Sequence, residues 1–318
     1  MNRVKSPFPY LHLLFLSAAV VLRFAGNAAA DTVKTLEFDM NAGYRVDRLD
    51  WNIAGNAAGQ NPNVLSELNW KDLKIWQVGA SGKVAVGNEL VDYRTYIRAS
   101  LDYGWITDGS VRDSDYHHDN HSLEIYRSIS DTSDDNVLDG SIGLGFEKDY
   151  WQKRITFGWL GGYSYHEQNL RLTDSIQYIP VYEPVNGLNS TYKSKWYGPF
   201  AGIDLTIQLS PRFSLLGSAE YHWTKYEAKA DWNLRADFAH PESFRQDANN
   251  AHGLVGTIKG RYAFSRDWSL DLSFDYRDFT ARDGTDRAFM ADGTTTDVRL
   301  NEVNWKSYAT TLGVTCNF

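Results

Sequence analysis

One cysteine, Cys316, stands in 318 residues, so no intramolecular disulfide can staple the chain. Basic residues are also scarce: 32 Lys and Arg face 40 Asp and Glu. Setting aside residues 1–30, 29 basic residues remain against the same 40 acidic ones. That balance excludes nucleic acid as a partner, because phosphate binding needs a basic surface. After the first thirty residues no apolar run approaches the roughly 20 residues of a spanning helix. No cofactor fingerprint and no metal motif such as His-Glu-x-x-His occurs, so neither a cofactor nor a metal is expected.

What is present begins with an export pattern. Arg3 and Lys5 precede a short apolar run from Leu11 to Leu22, and Ala28-Ala29-Ala30 offers a small-residue cleavage site before Asp31. Basic, apolar and small segments in that order read as a signal peptide over residues 1–30. A short membrane anchor is the other reading, and the polar character of the chain after Asp31 argues against it. Residues 31–318 then form the mature domain.

Aromatic residues make up 14% of the chain, and they alternate with polar residues instead of clustering in long apolar runs. Leu312, Val314, Cys316 and Phe318 share one face of the final segment, and Thr311, Gly313, Thr315 and Asn317 the other. A period of two marks a strand. The same pattern recurs over Leu36–Val46, Leu68–Val86, Tyr93–Trp105, Leu138–Phe146, Ile155–Tyr165, Tyr197–Leu209, Phe213–Trp223, Leu254–Phe264 and Trp268–Tyr276. With the last strand these make ten. Short links near 146–155, 209–212 and 265–267 alternate with long ones near 47–64, 107–135, 167–194, 225–250 and 280–300. Bacterial barrels have short periplasmic turns and long outer loops, and a closed ring leaves no unpaired backbone in lipid. The fold class expected is all-β: a single ten-stranded antiparallel transmembrane barrel in the bacterial outer membrane, with long extracellular loops and both ends periplasmic. Trp151, Phe213 and Trp268 lie beside inner turns, where an aromatic girdle belongs. Large charged residues at lumen positions (Arg94, Arg98, Asp102, Arg154, His166) argue against a broad porin.

Several segments carry a further likeness. Ser66-Glu67-Leu68-Asn69-Trp70 opens the second strand region. Gly104-Trp105 is followed by Asp113-Ser114-Asp115. Tyr192-Lys193-Ser194-Lys195-Trp196 leads into Pro199-Phe200-Ala201-Gly202. In this order and placement they resemble the omptins, outer-membrane proteases with ten-stranded barrels. The resemblance implies a site in which an Asp-x-Asp pair and an Asp-x-His pair hold a water across a cleft. Asp113 and Asp115 match the first pair. For the second, Asp231-Trp232-Asn233 puts Asn233 where the histidine belongs, and an amide cannot serve as a general base. Asp237-Phe238-Ala239-His240 comes soon after, and only a loop could turn both of its polar ends to one side. The catalytic candidates are therefore Asp113, Asp115, Asp231 and a displaced His240. The resemblance also implies lipopolysaccharide as a partner on the outer wall. Lys195 matches one basic position, while Glu167 stands where another basic residue is expected. The aromatic C-terminus resembles the signal read by the barrel-assembly machinery.

Asp113, Asp115, His117, His118, Asp119 and His121 crowd nine residues, a donor set that suits a transition metal, though a solvated acidic loop is the plainer reading. Three functions are open: a barrel with an incomplete protease site and a binding or structural role for its outer loops; an active omptin-type endopeptidase using His240; or a narrow solute channel. The terminal aromatic yields the first prediction. Phe318→Asp should lower the yield of heat-modifiable, membrane-inserted protein on gels; wild-type yield would remove Phe318 from the assembly signal.

Overall fold

The computed structural model describes residues 33–87 and 93–318; the signal-peptide reading falls outside them. Twelve strands succeed one another: β1 (Val33–Ile53), β2 (Ser66–Gly87), β3 (Tyr93–His118), β4 (Ser122–Asp131), β5 (Asp135–Tyr150), β6 (Ile155–Ile179), β7 (Glu183–Val185), β8 (Ser190–Gln208), β9 (Phe213–Asp231), β10 (Phe244–Ala263), β11 (Trp268–Phe289) and β12 (Thr295–Asn317). The pairs between them are antiparallel, and β1 pairs with both β2 and β12, which closes the ring.

The count exceeds the expected ten for a local reason. β4 and β5 lie end to end: both pair with β3 on one side and β6 on the other. They make a single stave, interrupted at residues 132–134. β7 is a three-residue addition to β6. The wall therefore has ten staves. The chain's two described ends meet at one rim, where the Phe318 amide donates to the Leu36 carbonyl at 2.9 Å.

The lower half follows the rule for a membrane barrel. Met40, Trp76, Ile97, Ile142, Trp159, Ile203, Leu254, Leu272 and Leu312 are exposed on the outside. Trp151, Phe213 and Trp268 are exposed beside the short turns. The lumen holds charge in pairs. Arg45 binds Asp47 at 2.6 and 2.7 Å and also binds Asp139, which takes His166 Nδ1 at 2.7 Å. Arg98 binds Glu220, Arg94 forks onto Asp149 at 2.6 and 2.8 Å, and Arg277 reaches Asp102 at 3.3 Å. Of the five expected lumen residues only Arg154 falls elsewhere, exposed on the inner turn between β5 and β6. A polar cavity of about 250 Å³ remains among these groups.

The segments expected as long outer loops are mostly strand. β6 runs 25 residues and β3 runs 26, whereas about 9–11 span a bilayer. The staves thus rise well above the outer leaflet, and there the inside-out pattern inverts. On β9, Tyr221 and Trp223 face outward below the water line; above it Tyr226, Ala228 and Ala230 are buried while Lys225, Glu227 and Lys229 point out. Water now lies outside, so the apolar face turns in. Trp51, Trp70, Trp196, Trp305, Tyr192, Tyr226, Phe244 and Phe279 fill the upper interior with their aliphatic neighbours. Gly253 permits one close contact: a Cβ there would lie 2.3 Å from the Phe279 ring.

Trp305 joins the two halves. It stacks on Phe279 at 5.0 Å, donates Nε1–H to Asp47 at 3.0 Å and lies beneath Arg45. Trp305→Ala should cost about 3–5 kcal/mol, the usual loss for a fully buried large aromatic. Urea unfolding in detergent measures it, with Trp305→Phe expected to cost less, about 2–3 kcal/mol, since it keeps a ring against Phe279 but loses the second ring and the hydrogen bond to the Asp47 carboxylate.

Candidate functional site at the outer mouth

Strict alternation would place Asp113 and Asp115 on the same outward face as Trp105. Paired irregularities in β2 and β3 reverse them. On β2 both Lys71 and Asp72 are exposed between buried Trp70 and Leu73, with Asp72 at φ 52°. On β3 both Thr107 and Asp108 are exposed, and the register shifts at the same level. One bulged residue flips every side chain beyond it. Val111 is consequently buried in the upper core, and Asp113 and Asp115 share its inward face.

The two carboxyls therefore stand together in the mouth. Burial and the neighbouring Asp115 push Asp113 well above the usual carboxylate range, while Arg235 pulls it back. Burial likewise raises Asp115, opposed by the Ser66 hydroxyl and Arg235. Like charges in one desolvated place cannot both ionise freely. Arg235 comes from the loop 232–243 between β9 and β10, four staves from β3 in a ring of ten.

The second expected pair forms, in another place. His240 Nδ1 meets Asp231 Oδ1 at 2.6 Å, because the loop folds back on its own entrance. Ala228, Ala230 and Trp232 turn toward the core, which leaves Asp231 on the opposite, outer face at the rim. Among the described residues no hydrogen bond or ion pair joins Asp231 or His240 to Asp113 or Asp115. Asn233, standing where a base was expected, ties the rim together. It accepts from the Asn189 amide at 2.9 Å and the Ser190 hydroxyl at 3.1 Å, and donates to the Gly187 carbonyl at 2.9 Å.

A buried polar chain lies in the upper core. Tyr192 and Tyr226 share a hydrogen bond, Tyr192 donates to Gln246 Oε1 at 2.6 Å, and Gln246 Nε2 donates to Asp286 at 2.9 Å. Burial pushes the Asp286 carboxyl up to about 7. No motif marks these residues in the sequence, nor Arg235; the only signal is that Arg235 lies between Asp231 and His240.

Lys195 sits on the outer wall above the water line. It shares a surface hollow of about 380 Å³ with Lys193, Lys225, Lys229 and Arg245 and with the acids Glu227 and Asp247, Glu227 taking Lys225 at 2.7 Å. Glu167 is held there by Lys193 at 2.6 Å and by Tyr165. The histidine-rich segment is largely strand, contrary to the loop expected, since β3 continues to His118. Its donors diverge: His121 turns to Glu67 at 3.4 Å and Asp119 accepts from the Asn63 amide at 2.7 Å. Among the described residues no three metal-binding side chains converge.

Comparison with known proteins agrees with this architecture. The family model of the Protochlamydia outer membrane protein matches residues 39–318. No curated protein matches the sequence. Among solved structures, the outer membrane protease OmpT from Escherichia coli superposes with a TM-score of 0.75 at 12% identity, covering 92% of this chain and 99% of that one. The translocator domain of the autotransporter NalP from Neisseria meningitidis gives a TM-score of 0.36 at 10% identity, with 96% of each chain covered. A Pseudomonas aeruginosa FadL homologue gives 0.32 at 9%, covering 89% of this chain and 90% of that one. The OmpT likeness shows an omptin-like barrel fold.

Asp286 sets a pH dependence. Its folded value, about 7, lies above the ordinary carboxyl value of 3.8. A raised acid favours the fold fully below the unfolded pKa, and that contribution is lost as pH rises through the folded one. Stability should therefore fall between pH 4 and 7. Asp286→Asn should flatten the slope and gain on the order of 1–4 kcal/mol at pH 8. Urea midpoints in detergent at pH 4.5 and 8 test this; an unchanged slope would remove Asp286 as its source.

Proposed function

The chain belongs to the Protochlamydia outer membrane protein family, and from that premise we propose that it is a surface-exposed barrel whose outer loops bind or scaffold, and not a working endopeptidase. The observation that carries this reading lies at the acid pair. Among the described residues no histidine makes a hydrogen bond or ion pair with Asp113 or Asp115, and the charge of Arg235 lowers both carboxyls. General-base catalysis needs the base within hydrogen-bond reach of the water it activates. His240 is instead engaged with Asp231 at the rim. The aromatic filling of the upper interior weighs against a solute channel in the same way, since it stands across the path above the polar cavity.

Two partners fit this reading. The outer wall around Lys195, with Lys193, Lys225, Lys229 and Arg245, suits the phosphates of lipopolysaccharide, because ammonium and guanidinium groups make charge-assisted bonds to phosphate. Glu167 is neutralised by Lys193, Glu227 by Lys225, and Glu242 by Lys229 and Arg245, so a phosphate bound there competes with acids of the wall. Strand β12, ending in exposed Phe318, suits recognition by the barrel-assembly machinery.

The peptidase assay is decisive. With lipopolysaccharide present, peptides carrying basic residues should be cleaved at background rate, since a missing general base typically removes 10²–10⁴ in rate. Asn233→His should not create turnover, because it breaks the contacts to Gly187, Asn189 and Ser190. Robust cleavage by the unmodified protein, lost in His240→Ala, would establish the endopeptidase reading instead.

A further inference from the structure

One sector of the wall above the water line breaks the rule that the rest obeys. Leu123, Ile125 and Ile129 on β4, and Tyr178, Val181 and Tyr182 on the β6–β7 hairpin, are each 40–67% exposed. Among the described residues, the other large apolar side chain exposed above the water line is Leu234. Ile129 lies opposite Ile176 in the ladder, and the Tyr178 and Tyr182 rings meet edge-on at 5.4 Å, so pairing of β4 with β6 joins these side chains into one face. Membrane lipid does not reach it. Tyr126 stands opposite Asp115, ten residues beyond Trp105, roughly 33 Å along the strand. On β6 the polar side chains of Glu167, Asn169 and Arg171 separate Tyr163 from Ile176. A contiguous apolar face left in water marks an interaction site.

The same sector holds an open strand edge. β4 pairs with β3 along its length, but with β6 only from Arg127 onward. Among the described residues Leu123–Tyr126 have no backbone partner on that second side. Such a row of free amides and carbonyls is a template for one more strand. Charge at the margin is of one sign. Asp131, Asp174 and Glu183 are exposed there, Asp131 two residues from Ile129 and Glu183 opposite Gln177. Among the described residues none of these three carboxylates has a hydrogen bond or ion pair. Arg127 is already taken by Glu124 at 2.8 Å.

We infer that β4 and the β6–β7 hairpin form a docking surface for an extended, basic and apolar segment of a partner protein. The segment adds to the Leu123–Tyr126 edge as a strand, sets its apolar side chains against the exposed face and turns its basic ones to Asp131, Asp174 and Glu183. A second copy of this chain, meeting through the same face, would bring those acids against themselves, so the partner is a different polypeptide. The inference rests on the binding reading given above and deepens it by naming the surface and the partner's chemistry. The face lies outside the wall, whereas Asp113 and Asp115 point in, so it is separate from the acid pair.

A fluorescent peptide alternating lysine and valine, capped at both ends, is the probe, titrated by anisotropy against the detergent-purified full chain. It should bind and should slow hydrogen–deuterium exchange in residues 122–126. The same peptide with glutamate in place of lysine should not bind. Nor should a lysine–valine peptide methylated on its backbone nitrogens, which has no amide to donate to the edge. Ile125→Lys should weaken binding about tenfold or more, the effect of losing one buried aliphatic contact. Asp131→Asn should weaken it about two- to fivefold, the worth of one exposed charge pair. Both substitutions change exposed side chains, and heat-modifiable gel migration checks that the barrel is intact. No binding of the lysine–valine peptide overturns the surface. So does equal binding of the glutamate or methylated peptide, or binding indifferent to Ile125→Lys. Protection of residues 122–126 by lipopolysaccharide alone gives the face to sugar and overturns it too. Failure of these arms without peptide cleavage leaves the earlier reading standing. Cleavage of basic peptides sinks that reading, and slowed exchange at residues 122–126 would still establish the docking surface.

Discussion

Everything in this molecule hangs on the closure of β1 against β12. Their register runs from Glu37 opposite Asn317 to Ile53 near Leu300. A sheet in lipid has no water to satisfy an edge, and each unpaired backbone group there costs several kcal/mol. Once the ring is closed, the lower lumen cannot be apolar on both faces, and charged side chains must be taken inside. They are tolerated because each meets a partner: Arg45 with Asp47 and Asp139, Arg94 with Asp149, Arg98 with Glu220. Removing one partner of such a buried pair is far costlier than never having had it.

The same ring continues beyond the membrane with its logic reversed. The wall is one continuous set of hydrogen bonds, but its surroundings change from lipid to water part way up. The lower interior is polar because lipid claims the apolar face; the upper interior is apolar because water claims the polar face. Trp305 stands at the changeover, stacked on its register partner Phe279 alongside and bonded to Asp47 below. That switch fills the upper bore with aromatic and aliphatic side chains.

At the mouth the chemistry is that of a divided inheritance. The fold is omptin-like and the carboxyl pair is inward, but the histidine-bearing loop folds back on itself. The loop cation Arg235 is forked onto Asp237 and lowers both carboxyls of the pair. The outer wall carries a hollow in which Lys193, Lys195, Lys225, Lys229 and Arg245 stand beside Glu227 and Asp247.

The period-two pattern by itself determined the membrane-spanning half. From Leu312 to Phe318, and in nine segments before it, lipid enforces one face strictly, so the alternation is readable without coordinates. The strands above the water line read as loops because their alternation shifts phase: on β9 it passes from Tyr221 and Trp223 to Tyr226, Ala228 and Ala230. The spacing of Asp113 and Asp115 is visible too, but which way they face is not. Only the bulges at Asp72 and at Thr107–Asp108 turn them inward, and a bulge is decided by pairing with a neighbouring strand. Asp231 and His240 meet through a loop return that no local periodicity encodes. Arg235, whose charge lowers both acids of the pair, comes from four staves away around the ring. Such an influence is a product of closure, and closure is a property of the whole wall.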